Sequence, residues 1–225
     1  MTAPSSPERA PVLLVPGAFG QDLLYWNVMQ YLLERKGHHV YTLTFPTLTL
    51  RDLRVSAHLL AAKVQEVLES EETSQVTLVA HSMGGLIARH YLQALRGGPS
   101  VRRLVCLGTP HRGTYAGLVG YPLAGARQIL PGSPFLQELN DPRNLDTQVP
   151  IVNIWARNDL VVVPNENARL SGPNVTDVRV TLGGHWSLLF APRVLRWVAE
   201  AAAGEALTGA TVTPPEAVPA PVAES

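Results

Sequence analysis

In the run V-T-L-V-A-H-S-M-G-G-L-I-A-R, Ser82 stands between an apolar, β-prone stretch and a stretch of helical composition, with Ala80 two residues before it and Gly84 two after. A serine hydroxyl is a weak nucleophile until a base takes its proton. A strand that turns sharply into a helix meets two further needs of attack on a carbonyl. The turn projects the hydroxyl, and the helix N-terminus leaves the Met83 N–H to bind the negative charge developing on the carbonyl oxygen. Strand and helix backbones approach closely at such a turn, so small residues are required on both flanks. Alone, a serine at such a turn is more often an ordinary junction of strand and helix, and its chemistry depends on partners elsewhere in the chain.

Seven histidines compete to be the base. His38 and His39 enter a strand, His58 and His90 lie on helices, and His81 adjoins Ser82, where neighbouring side chains of a tight turn diverge. His185, in L-G-G-H-W-S-L-L-F, sits on a glycine-flexed loop between the final strand and the last helix and is the expected base. His111, in L-G-T-P-H-R-G-T, also follows a strand and is its rival. Chain order favours His185, because in one recurrent arrangement the order is nucleophile, acid, histidine. The acid must hold the imidazole in the right tautomer and stabilise the imidazolium. Asp159, in I-V-N-I-W-A-R-N-D-L-V-V-V-P, follows the penultimate strand and fits; the alternative for it is a solvated turn aspartate. A second oxyanion donor is expected after the first strand, in L-L-V-P-G-A-F-G-Q, from the Ala18 N–H with Phe19 as runner-up; the Phe19 ring is also a candidate pocket wall.

The elements that must position these residues are an alternation of short β-rich runs and longer segments of helical period. That is the pattern of an α/β fold, a mostly parallel central sheet with helices on both faces. Strands are predicted at 12–15, 39–43, 75–80, 101–107, 149–156 and 176–182. The clearest helix is 53–68, where Leu53, Ala57, Leu60, Ala61, Val64, Val67 and Leu68 form one stripe and Lys63, Glu66 and Glu69 face away. Others are expected from Ser82 to about residue 96 and over 192–203, with Pro192 in the first turn. Residues 111–148 depart from the alternation and read as a small cap-like insertion with short helices at 121–129 and 133–138. Leu118, Val119, Tyr121, Leu123, Phe135 and Leu136 in it either face a substrate or pack beneath a long loop. The expected organisation is a flexible N-terminus over 1–10, one domain over 11–203, and a disordered Ala/Pro-rich tail over 204–225.

The 225 residues suffice for one core, and 46% hydrophobic against 16% charged side chains suits a compact domain. Eighteen basic and eighteen acidic side chains cancel, which argues against nucleic acid as a partner. No apolar run approaches the length of a transmembrane segment, and none before residue 12 resembles a signal peptide, so a cytoplasmic location is the expectation. The single cysteine, Cys106, precludes an internal disulfide and lies in an apolar strand as inert core.

Taken together, A-H-S-M-G-G, L-G-T-P-H-R-G-T, P-G-S-P-F-L-Q-E-L-N, N-D-L-V-V-V-P and G-G-H, in that order, resemble bacterial triacylglycerol lipases and esterases of the α/β-hydrolase superfamily. The resemblance covers residues 11–199. It implies the α/β-hydrolase fold and hydrolysis of a carboxylic ester through an acyl-enzyme, with Ser82, His185 and Asp159 in the family roles. The implied partner is a small ester or lipid, with transient contact to a lipid surface; no cofactor is implied, and no metal is expected. One departure is Pro16 before Gly17, where the lipases usually carry His-Gly, which bears on loop geometry and substrate preference. A thioesterase or acyltransferase using the same three residues, and a non-catalytic binding protein on this fold, are the competing readings.

Overall fold

The computed structural model describes residues 9–18, 23–45, 50–144 and 148–214. Six strands form one sheet: β1 (Val12–Val15), β2 (Val40–Thr42), β3 (Val76–His81), β4 (Val101–Leu107), β5 (Ile151–Ala156) and β6 (Val175–Val180). Their spatial order is β2-β1-β3-β4-β5-β6, and every neighbouring pair is parallel. The strand positions follow the sequence expectation to within about two residues, the usual scatter at element ends.

Both faces of the sheet are covered, so β1 and β3 are buried at every residue and read as continuous apolar runs. The period of two sends Leu13, Val15, Leu78 and Ala80 into one core with helices α2 (Leu53–Ser70) and α3 (Met83–Gln93). Val12, Leu14, Val79 and Val105 point into the other, with α1 (Leu23–Arg35) and α6 (Pro192–Ala203). Helix α2 starts where the Asp52 carboxylate accepts the Arg54 N–H at 2.9 Å, and its buried stripe includes Leu53, Ala57, Leu60, Val64 and Val67. Helix α6 carries Pro192 in its first turn and ends on Gly204 in the left-handed conformation.

Since all strands run one way, every connection leaving a strand's carboxyl end emerges at the same edge. The chain reverses its direction of progress across the sheet between β1 and β3, the crevice where parallel sheets collect ligands. The loop after β1 and the turn after β3 meet there.

The insertion differs in detail from its expected two helices. A 3-10 turn spans Tyr115–Gly120, and the helices are α4 (Ala124–Gln128) and α5 (Pro134–Asn140). Gln128 pins it to α2, its amide oxygen accepting from Leu53 N–H at 2.8 Å and its amide nitrogen donating to Asp52 at 2.7 Å.

Two boundaries are drawn differently by the packing. Ala10 is buried and Pro11 C=O accepts from Thr77 N–H at 2.8 Å, so the packed chain begins before residue 11; residues 1–8 lie outside the described residues. The packed chain also continues beyond residue 203. Leu207 and Ala210 pack on the second core, the Trp197 indole donates to Thr208 C=O at 2.9 Å, and Val212 bridges Val178 antiparallel. As the outermost strand, β6 offers backbone groups with no further strand to pair, and this short segment meets some of them. Residues 215–225 lie outside the described residues. No helix among the described residues is long and apolar enough to cross a membrane.

Candidate active site

Ser82 occupies the turn between β3 and α3 with φ +53° and ψ −126°, a positive φ that an L-residue adopts only when its surroundings impose it. Its N–H donates to Leu107 C=O at 2.8 Å and its C=O accepts from Gly85 N–H at 3.1 Å, so sheet and helix hold the turn from both sides. A Cβ on Gly84 would lie 2.5 Å from Val15 O and 2.6 Å from Pro16 O, which is why the second flank must be glycine. A Cβ on Gly85 would lie 2.0 Å from the Thr109 hydroxyl, a second steric demand that the motif alone did not reveal. Ala80 is fully buried in β3, its methyl accommodated. Met83 is the first residue of α3, so its N–H has no acceptor within the helix.

Asp159, two residues beyond the loop's entry from β5, is buried at 2% exposure. Its Oδ1 accepts from the N–H groups of Val161 at 2.8 Å and Val162 at 2.9 Å. Its Oδ2 meets His185 Nδ1 at 2.7 Å. A carboxylate can only accept, so Nδ1 carries the proton and Nε2 of the neutral ring is an acceptor. His185 follows Gly183, which has φ +104°, and Gly184. Gly108 makes room for the ring: a Cβ there would sit 3.2 Å from Nδ1. The His81 ring lies 4.7 Å from the His185 ring, centroid to centroid, and Trp186 packs edge-on at 5.5 Å.

The rival histidine has a different task. His111 is fully buried; Arg89 donates to its Nδ1 at 3.2 Å, and its Nε2–H therefore donates to Asn153 Oδ1 at 3.0 Å. Burial first, and the adjacent guanidinium second, hold its pKa well below the usual histidine value. A ring with both nitrogens engaged and its protonated form disfavoured cannot serve as the base. Burial likewise pushes the Cys106 thiol up to about 12, in keeping with inert core.

Ser82, Met83, Ala18 and His185 open on one cavity of about 360 Å³, with Asp159 behind the histidine. Its walls are mostly apolar: Leu50, Val119, Leu123, Ala126, Ile129, Val161, Val162 and Trp186, with Thr114 and the loop 116–117. Among the described residues that line it there is no lysine, arginine, aspartate or glutamate. Three expected pocket residues are displaced from it. Leu118 and Tyr121 are exposed and lie outside the wall, whereas Val119 and Leu123, themselves partly in solvent, line it. Phe135 is core, its ring 5.5 Å from that of His90 and beneath the Arg54 guanidinium at 5.2 Å. Phe19 lies outside the described residues. Among the described residues no group of three or more His, Cys, Asp or Glu side chains could hold a metal ion.

A model of the alpha/beta hydrolase family matches residues 12–223. A triacylglycerol lipase of Pseudarthrobacter phenanthrenivorans is 34% identical over 113 residues, 47% of this chain and 34% of the relative. One of Burkholderia plantarii is 34% identical over 113 residues, covering 47% and 31%. The chain thus matches about a third of the length of these relatives. Among solved structures, Aspergillus fumigatus lipase B superposes with TM-score 0.77 at 18% identity, over 88% of this chain and 53% of that one. Mature Bacillus licheniformis lipase BlEst2 superposes with TM-score 0.67 at 19% identity, over 82% and 88%. At these identities the superpositions speak to the fold.

Proposed function

The chain belongs to the alpha/beta hydrolase family, and from that premise we propose that it hydrolyses carboxylic esters of uncharged, apolar acyl groups, with Ser82 as nucleophile, His185 as base and Asp159 as the group orienting it. The observation carrying the reading is the 2.7 Å contact between His185 Nδ1 and Asp159 Oδ2, made by a histidine that shares its cavity with a serine on a positive-φ strand-to-helix turn. With Nδ1 protonated, Nε2 is the nitrogen left to accept the Ser82 proton as Oγ bonds to the ester carbonyl carbon. The N–H groups of Met83 and Ala18 bind the resulting oxyanion. His185 then returns the proton to the departing alkoxide, leaving an acyl-enzyme. Water, deprotonated by the same nitrogen, attacks the acyl carbon and frees the acid and the serine. The relatives named triacylglycerol lipases agree with a lipid-derived ester as substrate.

Among the described residues the cavity wall carries no charged side chain, and this supports an uncharged substrate, since an ionised group carried into an apolar pocket loses its hydration with nothing to replace it. The test is a fluorophosphonate probe followed by an ester panel. Ser82 becomes labelled, and Ser82→Ala abolishes labelling and lowers kcat on 4-nitrophenyl butyrate by about a million-fold. Acyl chains ending in a carboxylate turn over far more slowly than methyl-ended chains of equal length. A folded chain that neither labels nor turns over any ester points to a binding protein, and preference for acyl thioesters of the same length points to a thioesterase.

A further inference from the structure

Thr114 stands where the insertion roofing the cavity meets the loop that carries Asp159. Its hydroxyl is buried and fully used: it donates to Val161 C=O at 2.6 Å and accepts from Val163 N–H at 3.1 Å and Ala116 N–H at 3.2 Å. One proton and two lone pairs are all that a hydroxyl has. The backbone adds to the junction, with Tyr115 N–H donating to Val163 C=O at 3.1 Å and Thr114 N–H to Ile129 C=O at 2.7 Å. Val161, whose carbonyl takes the threonine proton, gives its own N–H to Asp159 Oδ1, and Val162 gives the other.

We infer that Thr114 is a positioning residue, whose hydroxyl clamps the 159–163 loop to the insertion so that Asp159 Oδ2 is aimed at His185; the inference rests on the triad reading above. The loop has an internal tie as well, since the Asn165 amide donates to the carbonyls of Asp159 and Val162. Asn165 belongs to the same loop and moves with it. Thr114 ties that loop to a different part of the chain, and it lines the cavity beside Ala116, Gly117 and Val119. The clamp therefore links the wall touched by an acyl chain to the carboxylate behind the base.

Thr114→Val removes the hydroxyl and keeps the branched shape, whereas Thr114→Ser keeps the hydroxyl. On 4-nitrophenyl butyrate the valine variant loses roughly 10- to 100-fold in kcat, the cost of a catalytic group misplaced by a fraction of an ångström to about one, while KM stays within about threefold. The serine variant retains most of the parent kcat. The low-field proton signal of the His185 Nδ1–H, seen by NMR without substrate, weakens in the valine variant and persists in the serine one. Should the valine chain fail to fold, Thr114→Ala removes the same oxygen without adding bulk and takes its place. Unchanged kcat and signal, a fall in unfolding temperature alone, a change in KM alone, or a serine variant as defective as the valine one each overturn the inference. If the parent chain cleaves no ester, the triad reading fails, and the Nδ1–H signal still judges the clamp.

Discussion

Asp159 divides its carboxylate among three donors, Oδ1 taking two backbone N–H groups and Oδ2 facing His185 Nδ1. The backbone donors cannot turn away, so an asparagine at 159 must direct its carbonyl oxygen to them and its NH2 at the imidazole. Nδ1 is then forced to accept, the ring proton moves to Nε2, and the base has no lone pair for Ser82. Asp159→Asn is expected to lower kcat by about 10⁴-fold with the fold intact, checked by steady-state rates beside circular dichroism. A loss under about tenfold would remove Asp159 from the proposed mechanism. The gathering of Ser82, Asp159 and His185 was legible because each follows a strand of a parallel sheet, and topology alone carries such residues to one edge. Thr114 and Gly108 were not legible, since their value lies in what approaches them in space. Which way Phe135 and Tyr121 face was not legible for a related reason: an apolar residue in an irregular insertion carries no period, and nothing in the sequence settles its direction.

The element on which the oxyanion geometry depends is the crossing of α3 over the carboxyl end of β1. Gly84 lets the first turn of that helix lie against Val15 and Pro16, from which the loop to Gly17 and Ala18 departs. Gly84→Ala drives a methyl group onto two backbone oxygens that cannot rotate aside, and the helix must lift or the loop must shift. An overpacked contact of this kind costs about 1–3 kcal/mol. At roughly 2–4 °C per kcal/mol for a chain of this size, calorimetry is expected to find a clear fall in Tm. Loss of kcat accompanies it, because the same shift carries Ala18 and Met83 apart. Gly98→Ala is the control: its added Cβ would come no closer than 3.7 Å to Val149 Cγ2, so both quantities hold near the parent values. Equal behaviour of the two variants would deny the crossing its role. The helices α2 and α6 and all six strands could be read from periodicity and capping residues. The 3-10 turn at Tyr115–Gly120 could not, because a single short turn fixes no stripe.

Across the whole molecule, a line of buried polar side chains runs from α3 to β6 beneath the site. Arg89 contacts His111, Leu139 C=O and Asn140; His111 reaches Asn153; and Asn153 donates to Asp177 at 2.6 Å, which also accepts from the Trp155 indole at 2.9 Å. Asp177, within β6, thus anchors a network spanning the helix, the insertion and two strands. Arg89 is buried, and burial lowers its pKa to about 10, so it stays charged at neutral pH and leaves its neighbour His111 no room for a second positive charge. His38 and His90 are buried too and are also shifted down, chiefly by lost hydration. A histidine whose pKa is depressed in the folded chain favours folding above its unfolded value of about 6.5, and that contribution is lost as pH falls below it, since only the unfolded chain takes up the proton. Each ring kept neutral steepens the slope of stability by about 1.36 kcal/mol per pH unit in that window. The lowered carboxylates Asp52 and Glu71 act at more acidic pH, so the interval between about pH 5 and 6.5 isolates the histidines. Denaturant midpoints are therefore expected to be level from about pH 8 to 7 and to fall steadily toward pH 5. His111→Gln, which cannot take up a proton, starts from a lower midpoint because its packing is disturbed, and its slope over that interval is shallower by one histidine's share. A slope identical to the parent's would mean that His111 titrates as freely in the folded chain as in the unfolded one, and that the buried line from Arg89 to Asp177 does not hold it neutral.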